Sequence, residues 1–282
     1  MDFPLQIAAE IERNVLAALA EDIGGGDLTA LLSPLACHAA GTVISREDAV
    51  LAGSDWFESC FRHLDPNVRI TWSANDGDRI VAGQVLCGIE ADTRALLTAE
   101  RAALNFLQLL SGTATITRRF VDAVAGTGAR IVDTRKTLPG LRIAQKYAVR
   151  CGGGTNHRLG LYDGILIKEN HILAAGGVTA ALERARALAR DGIFIQIEVE
   201  TLEQLAEALD AGASMILLDN MSLAQMRQAA GLTAGRAQLE ASGGVSLETV
   251  RAIAETGVDR ISIGGLTKDV RAIDLSLRHI EQ

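Results

Sequence analysis

Residues 193–220 read IFIQIEVETLEQLAEALDAGASMILLDN. An apolar run over 193–199 predicts a buried strand. A helical pattern over 201–211 and a second apolar run over 214–219 follow it. The unit then repeats. Further strands are predicted at 129–133, 164–168, 237–241 and 259–263, and further helices at 116–125, 141–150, 177–191, 222–230 and 246–256. The strand ends fall at Glu198, Asp219, Ser242 and Gly264, spaced 21, 23 and 22 residues apart. Strands alternating with helices of this length indicate βα units and parallel pairing. A polar or glycine residue at each strand's C-terminal end points to an α/β barrel with its chemistry there. An open doubly wound sheet is the alternative that periodicity leaves standing.

The chain has 282 residues, enough for one large domain or two modest ones. It is 48% hydrophobic but only 4% aromatic, so its core is built from Ala, Val, Ile and Leu. The formal net charge of −8 argues against nucleic acid and anionic membrane as main partners. No stretch reaches the roughly 18 apolar residues of a membrane span, and the acidic N-terminus does not read as a signal peptide. The four cysteines, Cys37, Cys60, Cys87 and Cys151, are not closely paired. They read as reduced and structural in a cytoplasmic protein, not as a zinc site.

Upstream, residues 5–20 have helical spacing with one apolar face. Glu21 to Thr29 breaks that helix at Gly24-Gly25-Gly26, a loop that lacks the strand–glycine–helix setting of a nucleotide fingerprint. Residues 38–90 read as short strands, with candidates at 40–45, 50–52 and 68–72 and a turn at Asn75-Asp76-Gly77-Asp78. Residues 77–86 resemble the hairpin of lipoyl and biotinyl carriers. A carrier displays a lysine at its hairpin tip, and no lysine precedes Lys136. Residues 93–110 predict a helix apolar over most of its circumference, with a polar stripe of Arg94, Thr98, Arg101, Asn105 and Gln108. That stripe is either a solvent face or one that points Arg101 at a ligand. Ser111 to Thr115 marks the change of texture, and residues 271–282 predict a last helix.

Residues 130–171 carry eight cations against three acids, in a chain that is acidic overall. Arg135, Lys136 and Lys168 directly follow two predicted strands. Arg158 and His157 follow the flexible run Gly152-Gly153-Gly154. This suggests a small, multiply anionic ligand, because arginine pairs bidentately with carboxylate or phosphate while lysine acts as a point charge. Glu198 and Asp219 end successive strands. They suit a hydrated Mg²⁺, which takes only one or two protein carboxylates. They equally suit ribose hydroxyls, or pairing with a structural cation. Glu200 and Glu240 compete for the same roles. The runs Ser242-Gly243-Gly244 and Ile263-Gly264-Gly265 follow the last two strands, where barrels commonly hold phosphate.

Taken in order, several motifs resemble quinolinate phosphoribosyltransferases. They include Glu21-Asp22 with Gly26-Asp27-Leu28-Thr29, then residues 100–106 (ERAALNF) and 111–115 (SGTAT). They continue through 133–137 (DTRKT), 146–149 (KYAV), 156–161 (NHRLGL) and 167–171 (IKENH). Glu198-Val199-Glu200, Leu218-Asp219-Asn220, Ser242-Gly243-Gly244 and Ser262-Ile263-Gly264 complete the series. Thr113 and Met221 depart from the usual pattern at positions away from the expected contacts.

The resemblance implies an N-terminal α/β sandwich domain over residues 1–112, joined by the C-terminal helix 271–282, and an incomplete α/β barrel over 113–270. It implies transfer of phosphoribose from phosphoribosyl pyrophosphate to quinolinate with decarboxylation, Mg²⁺ as cofactor, and a role in NAD synthesis. It also implies a homodimer, alone or as part of a higher oligomer, in which Arg101 is donated across the interface. Arg135, His157, Arg158 and Lys168 then match the quinolinate set, and Lys136 a pyrophosphate contact. Glu198 and Asp219 match the ribose and Mg²⁺ acids. Ser242, Gly243, Gly244 and Gly264 match the 5-phosphate site. The rival readings are a paralogue associated with molybdenum transport and a non-catalytic sensor. The intact His157-Arg158 and Lys168 set disfavours the first, and retention of both Glu198 and Asp219 disfavours the second.

Overall fold

The computed structural model describes residues 3–34 and 37–280. In chain order the elements are α1 (Phe3–Ile23), a 3-10 turn (Ala30–Leu32), β1 (His38–Ser45), β2 (Ala49–Val50), α2 (Ser54–Leu64), β3 (Arg69–Trp72), β4 (Arg79–Ile80), β5 (Val85–Asp92) and α3 (Thr93–Ala123). Then come β6 (Arg130–Val132), α4 (Arg142–Cys151), β7 (Gly164–Ile167), α5 (Glu169–Ala175), α6 (Val178–Leu188), β8 (Phe194–Val199), α7 (Leu202–Asp210) and β9 (Met215–Asp219). The chain closes with α8 (Leu223–Thr233), β10 (Gln238–Ser242), α9 (Val250–Ala254), β11 (Arg260–Ser262), α10 (Gly265–Lys268) and β12 (Leu275–Ile280). They pack as two compact units. One comprises Met1–Arg118, Thr137–Gly153 and Leu266–Gln282, and the other Arg119–Lys136 and Gly154–Gly265.

The first unit is built on a four-stranded antiparallel sheet in the order β12-β1-β5-β3. Val43 of β1 and Leu86, Cys87, Ile89 and Ala91 of β5 pack with Val15 and Leu19 of α1, with Trp56, Phe57, Cys60 and Phe61 of α2, and with the buried face of α3. The last helix expected over residues 271–282 is corrected by their described part, 271–280, which contains no helix. Leu275, Ser276, Leu277 and Arg278 alternate apolar and polar, which suits a strand with one face buried. Six residues, Leu275–Ile280, add antiparallel to β1, from Ser45↔Leu275 to Ala40↔Ile280.

Two other expectations change in this unit. Residues 93–123 form one helix of 31 residues, so Ser111 to Thr115 is no break. Tertiary contacts outweigh the weak helix propensity there. Ser111 Oγ accepts from Ala52 N at 3.0 Å and donates to Ala52 O. Gly112 is needed for a close approach, since a Cβ on it would stand 2.3 Å from Arg271 O. The carrier-like hairpin over 77–86 does not form either. β4 pairs with β2, while β5 pairs with β1 and β3.

The second unit is a six-stranded, all-parallel sheet in the order β6-β11-β10-β9-β8-β7. Read from β7, spatial order follows chain order, and β6 then lies beside the last strand, β11. A doubly wound sheet would instead reverse direction at a switch point. The sheet is therefore an α/β barrel missing one pairing, between β6 and β7, among the described residues. Residues 169–175, not anticipated as helical, form α5 directly after β7.

Among the described residues no helix is long and apolar enough to cross a membrane. All four cysteines are free. Burial pushes the thiols of Cys60, Cys87 and Cys151 up to about 12. The thiolate is the reactive form, so these three should resist a thiol reagent at pH 8 until denaturant is added, which a thiol titration reads directly. Gly112→Ala should lower stability by about 1–3 kcal/mol, as overpacking does, measured by urea unfolding.

Candidate active site

Strand alternation sorts the side chains of the barrel. Ile195, Ile197 and Val199 alternate with Gln196 and Glu198 on β8, and Ile216 and Leu218 with Leu217 and Asp219 on β9. Leu239 and Ala241 alternate with Glu240 and Ser242 on β10, and Ile261 with Arg260 and Ser262 on β11. Successive side chains of a strand point to opposite faces. The register sets Glu198 beside Leu217, Leu217 beside Glu240, and Asp219 beside Ser242, so these residues share one face.

On that face lies a cavity of about 280 Å³. The strands line it with Leu166, Glu198, Leu217, Glu240, Ser242 and Ser262; the segments after β6 and β7 add Thr134, Arg135, Lys136 and Lys168, and the loop between α4 and β7 adds His157 and Arg158. Seven of the expected residues therefore meet in one cavity: Arg135, Lys136, His157, Arg158, Lys168, Glu198 and Ser242. Asp219, Gly243, Gly244 and Gly264 belong to the same unit but are not among its lining residues, and neither is Arg101 of the first unit.

The eight cations of residues 130–171 do not act together. Arg142, Lys146 and Arg150 sit on α4 in the first unit, and Lys146 is fully buried there. Four cations line the cavity: Arg135, Lys136, Arg158 and Lys168. Arg158 donates to Gly164 O at 3.1 Å. Its guanidinium is held below its ordinary value, first by burial and then by the charge of Arg135, with Asp163 opposing. Nε of Arg135 is buried without a hydrogen-bond partner. Two neighbouring guanidiniums, one with an unsatisfied donor, favour an anion between them. Lys168 Nζ meets Glu198 Oε2 at 2.7 Å.

The loop that brings in Arg158 hangs on one carboxylate. Asp133 is fully buried and accepts from His157 N at 2.8 Å and from Asn156 Nδ2 at 2.6 Å. Asp163 accepts from Leu159 N and Gly160 N, closing the far side of the loop. His157 is buried at 8% exposure. Its Nδ1 accepts from Arg158 N at 2.7 Å, and its Nε2 lies 2.7 Å from Gln196 Oε1.

Sequence reasoning missed Gln196 and the supporting role of Asp133, and left Glu240 level with Glu200. Counting alternate positions back from Glu198 would have put Gln196 on the inner face. Glu240 proves buried at 1% exposure and pairs with Arg260 Nε at 2.9 Å. Glu200 is exposed beyond the strand end and is not a lining residue.

The glycines divide by role. Gly243 has φ +103°, and a Cβ on it would stand 2.1 Å from Asn220 Oδ1, so it must be glycine. Gly244 has φ +58° with open space around it. A Cβ on Gly264 would come 2.8 Å from Cδ of Lys136, so this glycine makes room for the lysine stem. Asp219 is half-buried at the end of β9 and accepts from Asn220 Nδ2 at 2.8 Å.

Residues 113–278 match the family model described as quinolinate phosphoribosyl transferase, C-terminal domain, and residues 27–111 match the N-terminal domain of the same family. The chain is 44% identical to a probable nicotinate-nucleotide pyrophosphorylase (carboxylating) of Bacillus subtilis, over 91% of this chain and 89% of that protein. It is 45% identical to the nicotinate-nucleotide pyrophosphorylase (carboxylating) of Mycobacterium leprae, over 94% of this chain and 95% of that one. The solved nicotinate-nucleotide pyrophosphorylase of Francisella tularensis superposes with a TM-score of 0.92 at 42% identity, covering 96% of each chain.

The two glycines after β10 should respond differently to alanine. Gly244→Ala should cost about 1–2 kcal/mol, the left-handed penalty alone. Gly243→Ala adds a clash with Asn220 and should cost about 1–3 kcal/mol more. Denaturant unfolding of both variants reads the difference.

Proposed function

The chain belongs to the quinolinate phosphoribosyltransferase family, and on that premise we propose how its residues divide the reaction. It transfers phosphoribose from phosphoribosyl pyrophosphate to quinolinate with decarboxylation, giving nicotinate mononucleotide, pyrophosphate and CO₂ in NAD biosynthesis. The observation that carries the assignment of roles is the neighbouring pair Arg135 and Arg158 in a cavity also lined by Lys168 and Lys136. Quinolinate brings two carboxylates to it, and Arg135, Arg158 and Lys168 bind them, with His157 beside them. Ser242, Gly243, Gly244 and Gly264 mark the end of the barrel where the 5-phosphate binds, as the placement after the last strands supports.

Pyrophosphate departs from the ribose with Lys136 countering its charge. The pyridine nitrogen attacks the electron-poor carbon left behind. Held substrates and fixed charges carry this step, and no side-chain nucleophile is needed. The ribosylated nitrogen is cationic, so it stabilises the electron pair left on the adjacent ring carbon when the carbon–carboxylate bond breaks. CO₂ leaves, and a proton takes its place.

Glu198 and Asp219 fit Mg²⁺ as part of a shared site. They lie on one face of neighbouring strands, and each already accepts from a nitrogen donor. No group of three or more His, Cys, Asp or Glu among the described residues is arranged to hold a metal alone. That suits an ion which arrives with phosphate and keeps water ligands. The two carboxylates would hold it, and it would supply positive charge to the pyrophosphate.

Arg101 serves the partner subunit's site in a homodimer. It is exposed on α3 and has no hydrogen-bonding or ionic partner among the described residues, which supports a role outside its own unit. The enzyme works in the cytoplasm, a reading supported by the four free cysteines.

With phosphoribosyl pyrophosphate and Mg²⁺, purified protein should release pyrophosphate with quinolinate and not with nicotinate. Turnover of nicotinate alone would overturn the dicarboxylate site. Arg135→Ala should lower kcat/KM for quinolinate by roughly ten- to a hundredfold, the loss of one charge-assisted bond. Mixing inactive Arg101→Ala subunits with inactive Arg135→Ala subunits should restore partial activity through hybrid dimers. If exchanged mixtures stay dead, Arg101 is not donated.

A further inference from the structure

Three polar side chains meet inside the barrel: His157, so far placed only beside the substrate carboxylates, and Gln196 and Glu240, which have been given no part in the reaction. His157 Nδ1 accepts the backbone N–H of Arg158 at 2.7 Å. A ring nitrogen that accepts is unprotonated, so the proton of a neutral imidazole stands on Nε2. Nε2 therefore donates, and its partner at 2.7 Å must be the oxygen of the Gln196 amide. That leaves Gln196 Nε2, fully buried, with no partner. A carboxylate oxygen also stands nearby, beyond hydrogen-bond distance. Glu240 Oε1 lies 3.8 Å from His157 Nε2 and has no hydrogen-bond partner, while the other oxygen of Glu240 is taken by Arg260.

The consequence is a chain of constraint. The oxygen bonded at Nε2 is an acceptor, so the Nδ1–H tautomer would set a lone pair against Gln196 Oε1 on one side and an N–H against a backbone N–H on the other. Protonating both nitrogens would break the Nδ1 bond to Arg158. The ring is also fixed edge-on to Phe194, with centroids 5.5 Å apart at 68°. With both nitrogens engaged by protein, the imidazole keeps none to offer a carboxylate. Its effect reaches the ligand through the next residue, whose guanidinium lines the cavity.

We infer that His157 is a neutral positioning residue, that Gln196 holds it in the Nε2–H tautomer with the Glu240 carboxylate nearby, and that this network sets the placement of Arg158 for quinolinate. The inference rests on the dicarboxylate reading of the cavity and adds residues to it. Gln196 and Glu240 become part of the substrate specificity of the site without touching substrate.

The first test is the ¹⁵N spectrum of histidine-labelled wild-type protein near pH 7.5, with the His157 signals assigned by their loss in His157→Asn. A protonated Nε2 and an unprotonated Nδ1, retained when quinolinate is added, is the expected result. An imidazolium, or a proton on Nδ1, overturns the inference whether or not any variant folds. The second test is Gln196→Leu, which removes the acceptor at similar size. The KM for quinolinate should rise about tenfold, as for one lost hydrogen bond, with the KM for phosphoribosyl pyrophosphate unchanged. A folded Gln196→Leu enzyme with both KM values at wild-type level overturns it. Wild-type protein that fails to turn over quinolinate would instead sink the reading of the cavity, which the tautomer measurement does not depend on.

Discussion

The catalytic unit depends on how six parallel strands dispose of their two faces. Ile195, Ile197, Ile216, Leu218, Leu239 and Ala241 lie on the face opposite the cavity. Burying such side chains removes apolar area from water at roughly 25 cal/mol per Å², and it places every alternate residue inside. Those alternates are Gln196, Glu198, Asp219, Glu240, Ser242 and Ser262, which a protein built only for stability would not bury together. A buried polar group costs free energy unless it is paired. Much of the local architecture can be read as pairing: Glu240 with Arg260, His157 with Gln196, and Asp133 with the backbone of the loop it holds.

The pairing is incomplete at the cavity. Arg135 keeps an unsatisfied Nε in the cavity wall, and Arg158 is partly desolvated beside a like charge. Each is unfavourable in the free protein and would be relieved by an anion. Preorganised charge of this kind is how positioning enzymes lower barriers without covalent chemistry. Net charge is a poor guide to such a site. The chain is acidic overall, yet four cations converge because two strand ends and one loop bring them together.

The sequence and the structure agree most closely where local pattern and tertiary demand coincide. The spacing from Glu198 to Gly264 located four strand ends within a residue or two; the helices expected over 201–211 and 222–230 formed nearly as predicted, while that over 246–256 shrank to Val250–Ala254. Agreement fails where long-range contacts decide. Residues 111–115 look like a break, but Ser111 is tied to Ala52 and Gly112 admits the backbone of Arg271, so the helix runs on. Residues 275–280 are too short to declare themselves, and the free edge of β1 turned them into a strand. Of the site residues, those in short motifs at strand ends were legible, while Gln196 sat unnoticed inside an apolar run.

The sequence by itself determined the repeating βα unit, the cationic loops and the acids at strand ends, because periodicity and residue chemistry are local properties. Only the tertiary structure decided that β6 lies beside β11 and so makes the sheet a barrel. It likewise decided which four of eight cations share a cavity, and that His157 spends both its nitrogens on the protein. Those outcomes depend on pairing register and on contacts between residues far apart in the chain, which no local pattern encodes.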